Sequence, residues 1–84
     1  MRAVDIQAAK DRFGHLVRGF DSQTFIVSVD ELHGGEDYNI VFQRGYHTYV
    51  LEVESGRLAA WLDADGEPPD MIEAVKLAVE ELTS

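Results

Sequence analysis

The sequence predicts an α+β fold: a four-stranded antiparallel β-meander with N- and C-terminal α-helices packed on one face, in the order α-β-β-β-β-α. Two patterns predict it. Apolar residues recur at helical spacing near both ends of the chain, and at every second position in the middle. At 84 residues, with 45% hydrophobic and 27% charged side chains, the chain has the size and composition of a single globular domain spanning residues 1–84.

The two predicted helices are each defined by a capping residue and an apolar stripe. The first begins after Asp5, a favourable N-cap, and the second after Asp70, which stands three residues before Glu73 as in a capping box. Each helix has one face to bury and one to expose. The stripes consist of Ile6, Ala9, Phe13, Leu16, Val17 and Phe20 in the first helix and Met71, Val75, Ala78 and Leu82 in the second.

The segment between the helices is divided into four predicted strands. They cover residues 24–29, 38–43, 47–53 and 57–62. The first three are rich in the β-branched and aromatic residues that favour strands. Arg44-Gly45 and Ser55-Gly56 are the expected hairpin turns. Period-two alternation predicts an antiparallel sheet with one buried face.

The same alternation assigns side chains to the two faces of the sheet, and its outward set is unusually apolar for a solvated surface. Either a partner covers that face, most simply a second copy of the chain, or the alternation slips at a bulge and Trp61 belongs to the core. The inward set is Phe25, Val27, Val29, Ile40, Phe42, Tyr49, Leu51, Val53, Leu58, Ala60 and Leu62, and the outward set is Ile26, Val41, Val50, Ala59 and Trp61.

The charge is strongly acidic and unevenly distributed. The net charge is −9 overall, +2 over residues 1–20 and −11 over residues 21–84. General nucleic-acid binding and binding to anionic membranes both need a basic surface, so the composition argues against them. Two explanations of the acidity stay open: solubility or adaptation to a salty cytoplasm, and an acidic surface shaped for a basic partner.

Cysteine is absent, which excludes disulfides, thiolate metal sites and a catalytic thiol. The N-terminal residues lack the apolar core of a signal peptide, and no apolar run reaches the length of a membrane span. We therefore expect a cytoplasmic protein.

Two loops contain groups that could bind a metal, but neither matches a known ligand spacing. In residues 63–67 the glycine follows the second aspartate too soon for an EF-hand loop, and two prolines come next. The loop from His33 to Asp37 places an imidazole and two carboxylates on flexible backbone, whereas metal sites need rigid support. Nucleophile and phosphate-loop motifs are missing as well. We therefore expect no enzymatic activity, no metal and no cofactor.

The opening pattern Val4-x-Ile6-x-x-Ala9-Lys10-x-x-Phe13-x-x-Leu16-Val17, followed by the strand from Thr24 to Val29, resembles the start of Phd/YefM-type antitoxins. The resemblance implies a small dimeric DNA-binding domain with an acidic C-terminal part that wraps a toxin. Operator DNA would then be contacted through the basic residues of the first segment. The family continues with helices where this chain continues with strands. The basic residues are Arg2, Lys10, Arg12 and Arg18.

The sequence is best explained by a small acidic protein-binding module that recognises a basic protein partner or a second copy of itself. The alternatives are an inhibitor, immunity or nucleic-acid-mimic protein, an antitoxin-type regulator and, less favoured, a metal-dependent enzyme. We expect apolar anchors to supply affinity and acidic side chains to select the partner. The predicted anchors are Trp61, Tyr46 and Ile26, and the predicted acidic contacts are Glu52, Glu54, Glu36 and Asp37.

Overall fold

A computed structural model describes residues 4–64 and 66–84. Within these residues it contains three α-helices and one three-stranded antiparallel sheet, which confirms the α+β class. The elements in chain order are α1 (Ile6–Phe20), β1 (Phe25–Leu32), a 3₁₀ turn (His33–Gly35), β2 (Asp37–Arg44), β3 (His47–Glu54), α2 (Ser55–Asp63) and α3 (Pro69–Thr83).

Helix α1 begins at the predicted cap. The Asp5 Oδ1 atom accepts a hydrogen bond from the Ala8 N–H at 3.1 Å, which satisfies one of the free donors of the first turn. The centre of the predicted apolar stripe is completely buried, but Ile6 and Phe20 at its two ends are 42% and 41% exposed, and the opposite side of the helix carries polar residues. The buried stripe consists of Ala9, Phe13 and Val17.

Helix α3 begins differently from the prediction. Its N-cap is Pro68, and Pro69 occupies the first turn, where the missing N–H of proline has no cost. The capping role expected for Asp70 is therefore wrong. This carboxylate lies in the first turn, where the helix dipole favours it, and it is paired with Arg57 of α2.

The sheet has the strand order β1-β2-β3, so within the described part of the chain β2 is central and the other two strands are edges. Ile40 of β2 lies opposite Val29 of β1 and Leu51 of β3, and these three side chains point towards the helices. The register of β1 shifts between Ile26 and Ser28. This β-bulge reverses the alternation in the first half of β1.

The predicted fourth strand is wrong, because residues 57–62 are part of helix α2. The buried residues of α2 are Leu58 and Trp61, three positions apart, which is a helical and not a strand spacing. Alternation had placed Ala60 inward, but Ala60 is exposed. The segment is rich in leucine and alanine, which are strong helix formers, and Ser55-Gly56 begins a helix where a hairpin turn was expected.

The core lies between the inward face of the sheet and the three helices. Its centre is aromatic: the Phe13 ring packs edge-on against Trp61, with centroids 4.6 Å apart, and against Phe42 at 6.2 Å. Such edge-to-face pairs are favoured by the quadrupoles of the rings. The Trp61 Nε1 atom is buried and has no hydrogen-bond partner among the residues that the structure describes. Burial of the ring outweighs this cost, since a buried aromatic removes a large apolar area from water.

Candidate protein-binding surface

The outward side chains of β1, β2 and β3, here called the open face, are not covered by any element that the structure describes. One half of this face holds its large apolar side chains, interspersed with polar ones. Phe25 is 50% exposed, Val27 at the bulge 40% and Val50 52%, while Val41 is half-buried between the two edge strands. Large hydrophobic side chains grouped in this way are typical of binding surfaces.

The other half of the open face is acidic, and the strand register explains why. Asn39 of β2 lies between Asp30 of β1 and Glu52 of β3, and in the next row Asp37 lies opposite Glu54. Four carboxylates therefore occupy two adjacent rows on one side of the sheet. Asp30 is oriented locally, because its Oδ2 atom accepts a hydrogen bond from Ser28 Oγ at 2.9 Å.

The turn from β1 to β2 extends the acidic half beyond the sheet. His33 has a φ of 50°, a left-handed conformation uncommon for a residue other than glycine, and Gly34 and Gly35 follow with positive φ. The tight turn brings His33 Nδ1 to 3.1 Å from Asp37 Oδ2. The side chain of Glu36 is exposed at this turn, and its carbonyl accepts a hydrogen bond from the Ser55 N–H.

Tyr46 lies at the opposite end of the sheet, in the turn from β2 to β3, and is fully exposed at 103%. Because Phe25 pairs with Gln43, and Gln43 pairs with Thr48, this turn is adjacent to the apolar half of the open face. Of the three anchors that the sequence predicted, Tyr46 is the one that the structure leaves accessible.

The other two predicted anchors are inside the molecule. Trp61 is 1% exposed because its segment is a helix and not an outer strand, and Ile26 is 7% exposed because the bulge turns it inward. Neither can contact a partner in this structure, so both assignments to the outward face are wrong. The possibility that Trp61 belongs to the core, which the alternation left open, is the one observed.

The apolar residues that the structure leaves accessible on the open face are different ones: Phe25, Val27, Val41 and Val50. Val41 and Val50 were expected on the outward face, whereas Phe25 and Val27 were expected in the core. The alternation Phe25-x-Val27-x-Val29 suggests one continuous inward row, and only Val29 of the three is buried. A bulge leaves no strong signal in a sequence, because it is defined by two residues of one strand lying opposite one residue of the partner strand.

The basic residues of α1 line two grooves beside this helix. One groove, of about 210 Å³, runs between α1 and the start of β1 and contains Lys10 and Arg18. The other, of about 560 Å³, lies between α1 and the segment after α2, and His15 and Arg12 line it. Arg2, the remaining basic residue of this segment, lies outside the described residues.

Arg12 has a structural role that the sequence did not indicate. Its guanidinium is 5.1 Å from the centroid of the Trp61 ring, a cation–π distance. It also donates a hydrogen bond to the Leu62 carbonyl at 3.4 Å and lies 3.4 Å from Glu67 Oε1. The side chain therefore connects α1 both to α2 and to the segment between α2 and α3.

A second polar connection closes the opposite end of α1. Asp21 Oδ2 accepts hydrogen bonds from Thr24 Oγ1 at 2.6 Å and from Arg44 Nε at 2.8 Å, and Oδ1 accepts one from the Gln23 N–H. The hydrogen bond from Thr24 makes the largest contribution to lowering the pKa of Asp21, and the Gln23 N–H and Arg44 lower it further against the opposing effect of burial.

Among residues 4–64 and 66–84, no three histidine or carboxylate side chains are grouped closely enough to hold a metal ion. The second aspartate of the 63–67 loop, Asp65, lies outside the described residues. No helix in the described part of the chain is both long and apolar enough to cross a membrane.

Comparison with known proteins identifies no relative of this chain. No protein-family model matches the chain, and neither a curated protein nor a solved structure is significantly similar to it.

Proposed function

We propose that this protein is a small protein-binding module that acts by association and not by catalysis, and that the open face is its binding surface. The observation that carries the proposal is the division of one uncovered sheet face into an apolar half and an acidic half. An apolar area surrounded by polar side chains is the usual anatomy of a protein interface.

The chemistry of this face indicates a partner with apolar side chains next to basic ones. Phe25 and Val50 are the anchors that the partner's apolar side chains would cover, and Tyr46 extends this half at the adjacent turn. Desolvation of such anchors supplies most of the affinity of an interface. Glu52 and Glu54 would face lysine or arginine side chains of the partner, which accelerates association and discriminates between partners.

The test is a comparison of captured proteins between matched variants. The wild-type chain and three double variants would be immobilised and exposed to the native lysate at low salt. Phe25→Ser with Val50→Ser removes the apolar half. Glu52→Lys with Glu54→Lys reverses the acidic half. Glu80→Lys with Glu81→Lys makes the same charge change on α3, away from the open face.

We expect the wild type and the α3 control to retain a specific partner and both variants of the open face to lose it. Circular dichroism would confirm that all four chains are folded. Capture that depends only on net charge, and is therefore equal in the two lysine variants, would contradict the proposal. So would capture that neither open-face variant changes.

A narrower version of the proposal is that the acidic half imitates nucleic-acid phosphates and blocks a basic cleft. The observation in its favour is that four carboxylates project from two adjacent rows of one sheet. In this version, free DNA competes with the protein for its partner, and affinity falls steeply as salt is raised. A partner that DNA does not displace would exclude the mimic and leave the broader proposal standing.

A further inference from the structure

The groove between α1 and β1 concentrates positive charge on an acidic molecule. Lys10 and Arg18 both line it, and within residues 4–64 and 66–84 neither side chain has an acidic group within 4 Å. Arg18 Nε donates a hydrogen bond to the Gly14 carbonyl of its own helix. Asp11 is the one carboxylate among the lining residues, and it accepts a hydrogen bond from Gln7.

This groove lies at a free edge of the sheet. β1 pairs with β2 on one side and has no strand on the other within the described residues, so its edge N–H and C=O groups on that side are available to another strand. Phe25 and Ile26, at the start of β1, belong to the walls of the groove. An added strand would therefore pass beside Lys10 and Arg18.

The end of the same strand carries the complementary charge. Asp30 and Glu31 are both exposed. Glu31 pairs with the buried Tyr38 and therefore lies on the side of the sheet where the helices pack. β1 thus has cations beside its beginning and carboxylates at its end, an arrangement that is self-complementary when two copies run antiparallel.

We infer that two copies of the chain associate through their β1 edges, so that Glu31 of each copy enters the Lys10–Arg18 groove of the other. In this dimer Ser28 of one copy lies opposite Ser28 of the other, and the bulge between Ile26 and Ser28 is kept in each strand. Side chains that point inward in one copy then meet inward side chains of the other, so Val29 lies opposite the second copy's Ile26. Glu31 then lies opposite Thr24, which is itself a wall of the groove. The two sheets become one sheet of six strands.

A second copy fits this edge better than another acidic segment, because the two-fold axis uses each charge contact twice. The open faces of both copies stay uncovered and lie on the same side of the joined sheet. The inference therefore goes beyond the proposed function: it uses the strand edge, whereas partner binding uses the open face.

The test is a charge-reversal exchange followed by sedimentation equilibrium of the full chain at low salt. Arg18→Glu alone places two pairs of like charges in the dimer, and so does Glu31→Arg alone. Each variant should associate at least about tenfold more weakly than the wild type, because like charges brought together across an interface are strongly unfavourable. An equimolar mixture of the two variants should recover wild-type affinity to within about threefold, since both contacts of the mixed dimer are again attractive.

Lys76→Glu and Glu80→Arg on α3 are the matched controls, and they should leave association unchanged. Far-UV circular dichroism and the fluorescence of Trp61 would show that each variant is folded. A wild-type chain that remains monomeric throughout the millimolar range overturns the inference. A dimer that neither reversal weakens also overturns it, as do weakened variants whose mixture does not recover.

Discussion

The inward face and the open face of the sheet are made by the same three strands, yet they differ completely in environment. On β3, Val53 points inward and is buried, whereas Val50 points outward and is half-exposed. On β2, Ile40 and Phe42 have no exposed surface, while the adjacent Val41 is partly accessible. Valine therefore occurs on both faces, and at these positions the helices, not the residue type, determine which side chain is buried.

An apolar side chain on a strand does not by itself indicate burial. The inward residues stabilise the fold, and the outward ones are available to a partner. Substitutions of the same type on opposite faces should therefore have very different effects on the free energy of unfolding. Matched substitutions on the two faces therefore separate residues that stabilise the fold from residues that are free to bind.

Truncation of phenylalanine separates the two faces most strongly. Phe42→Ala should lower the free energy of unfolding by about 3–5 kcal/mol, because it leaves a cavity in a fully buried site. Phe25→Ala, on the open face, should cost less than about 1 kcal/mol, since half of that side chain is already in water. Urea denaturation followed by Trp61 fluorescence measures both values, and equal losses would mean that the open face is part of the core.

The two valines of β3 test the same difference without a change of volume. Val53→Thr should cost about 1–3 kcal/mol, because a hydroxyl is buried among apolar neighbours without a partner. Val50→Thr should change stability by no more than about 0.5 kcal/mol, as expected for a surface position. The midpoints of thermal unfolding would give the order. If Val50→Thr were the more harmful, another element would have to cover the outward face.

Loss of the contact between Arg12 and Trp61, on the side of the sheet that the helices cover, should lower the free energy of unfolding by a smaller amount. Arg12→Met keeps an apolar stem but removes the cation–π contact and the hydrogen bond to the Leu62 carbonyl. The expected loss is about 1 kcal/mol. Arg18→Met, which removes a guanidinium that donates a hydrogen bond to the Gly14 carbonyl of its own helix, is the control. A loss at Arg18 that matched the loss at Arg12 would argue against a specific link to Trp61.

The smallest effect is the pH dependence contributed by Asp21. Its pKa is lowered in the folded state, so its contribution to stability is complete above the pKa of an unfolded aspartate, about 4. That contribution is lost as the pH falls from there through the folded pKa. Asp21→Asn should therefore lose less stability than the wild type between neutral pH and acid. Denaturant midpoints measured across this range would contradict the assignment if the two chains changed in parallel.

Much of the fold could be predicted from the sequence, because long periodic segments carry redundant information. Helix α1 has three buried residues in helical register and a cap at Asp5, so several independent signals agree. The run Arg57–Leu62 is only six residues long, and over that length alternation and helical spacing both fit. Its leucine and alanine content was the better guide. The prediction of a strand over this run is also what placed Trp61 on the outward face.

The candidate site was predictable in its charge but not in its apolar anchors. Glu52 and Glu54 are exposed on β3 because they alternate with Leu51 and Val53, a pattern that the sequence displays directly. Phe25 and Ile26 exchanged faces because of the bulge in β1, which depends on pairing with β2 and not on local residue type. The grooves of α1 likewise depend on tertiary packing.

The contacts that Arg12 makes also determine when the chain can fold during its synthesis. Arg12 contacts the Leu62 carbonyl, 50 residues further along, and Phe13 packs on Trp61. During translation the residues of α1 leave the ribosome first. Their apolar stripe therefore stays exposed until the residues that cover it have also emerged. Since α3 completes the same core with Met71 and Val75, cooperative folding on the ribosome can finish only after the last helix has left the exit tunnel.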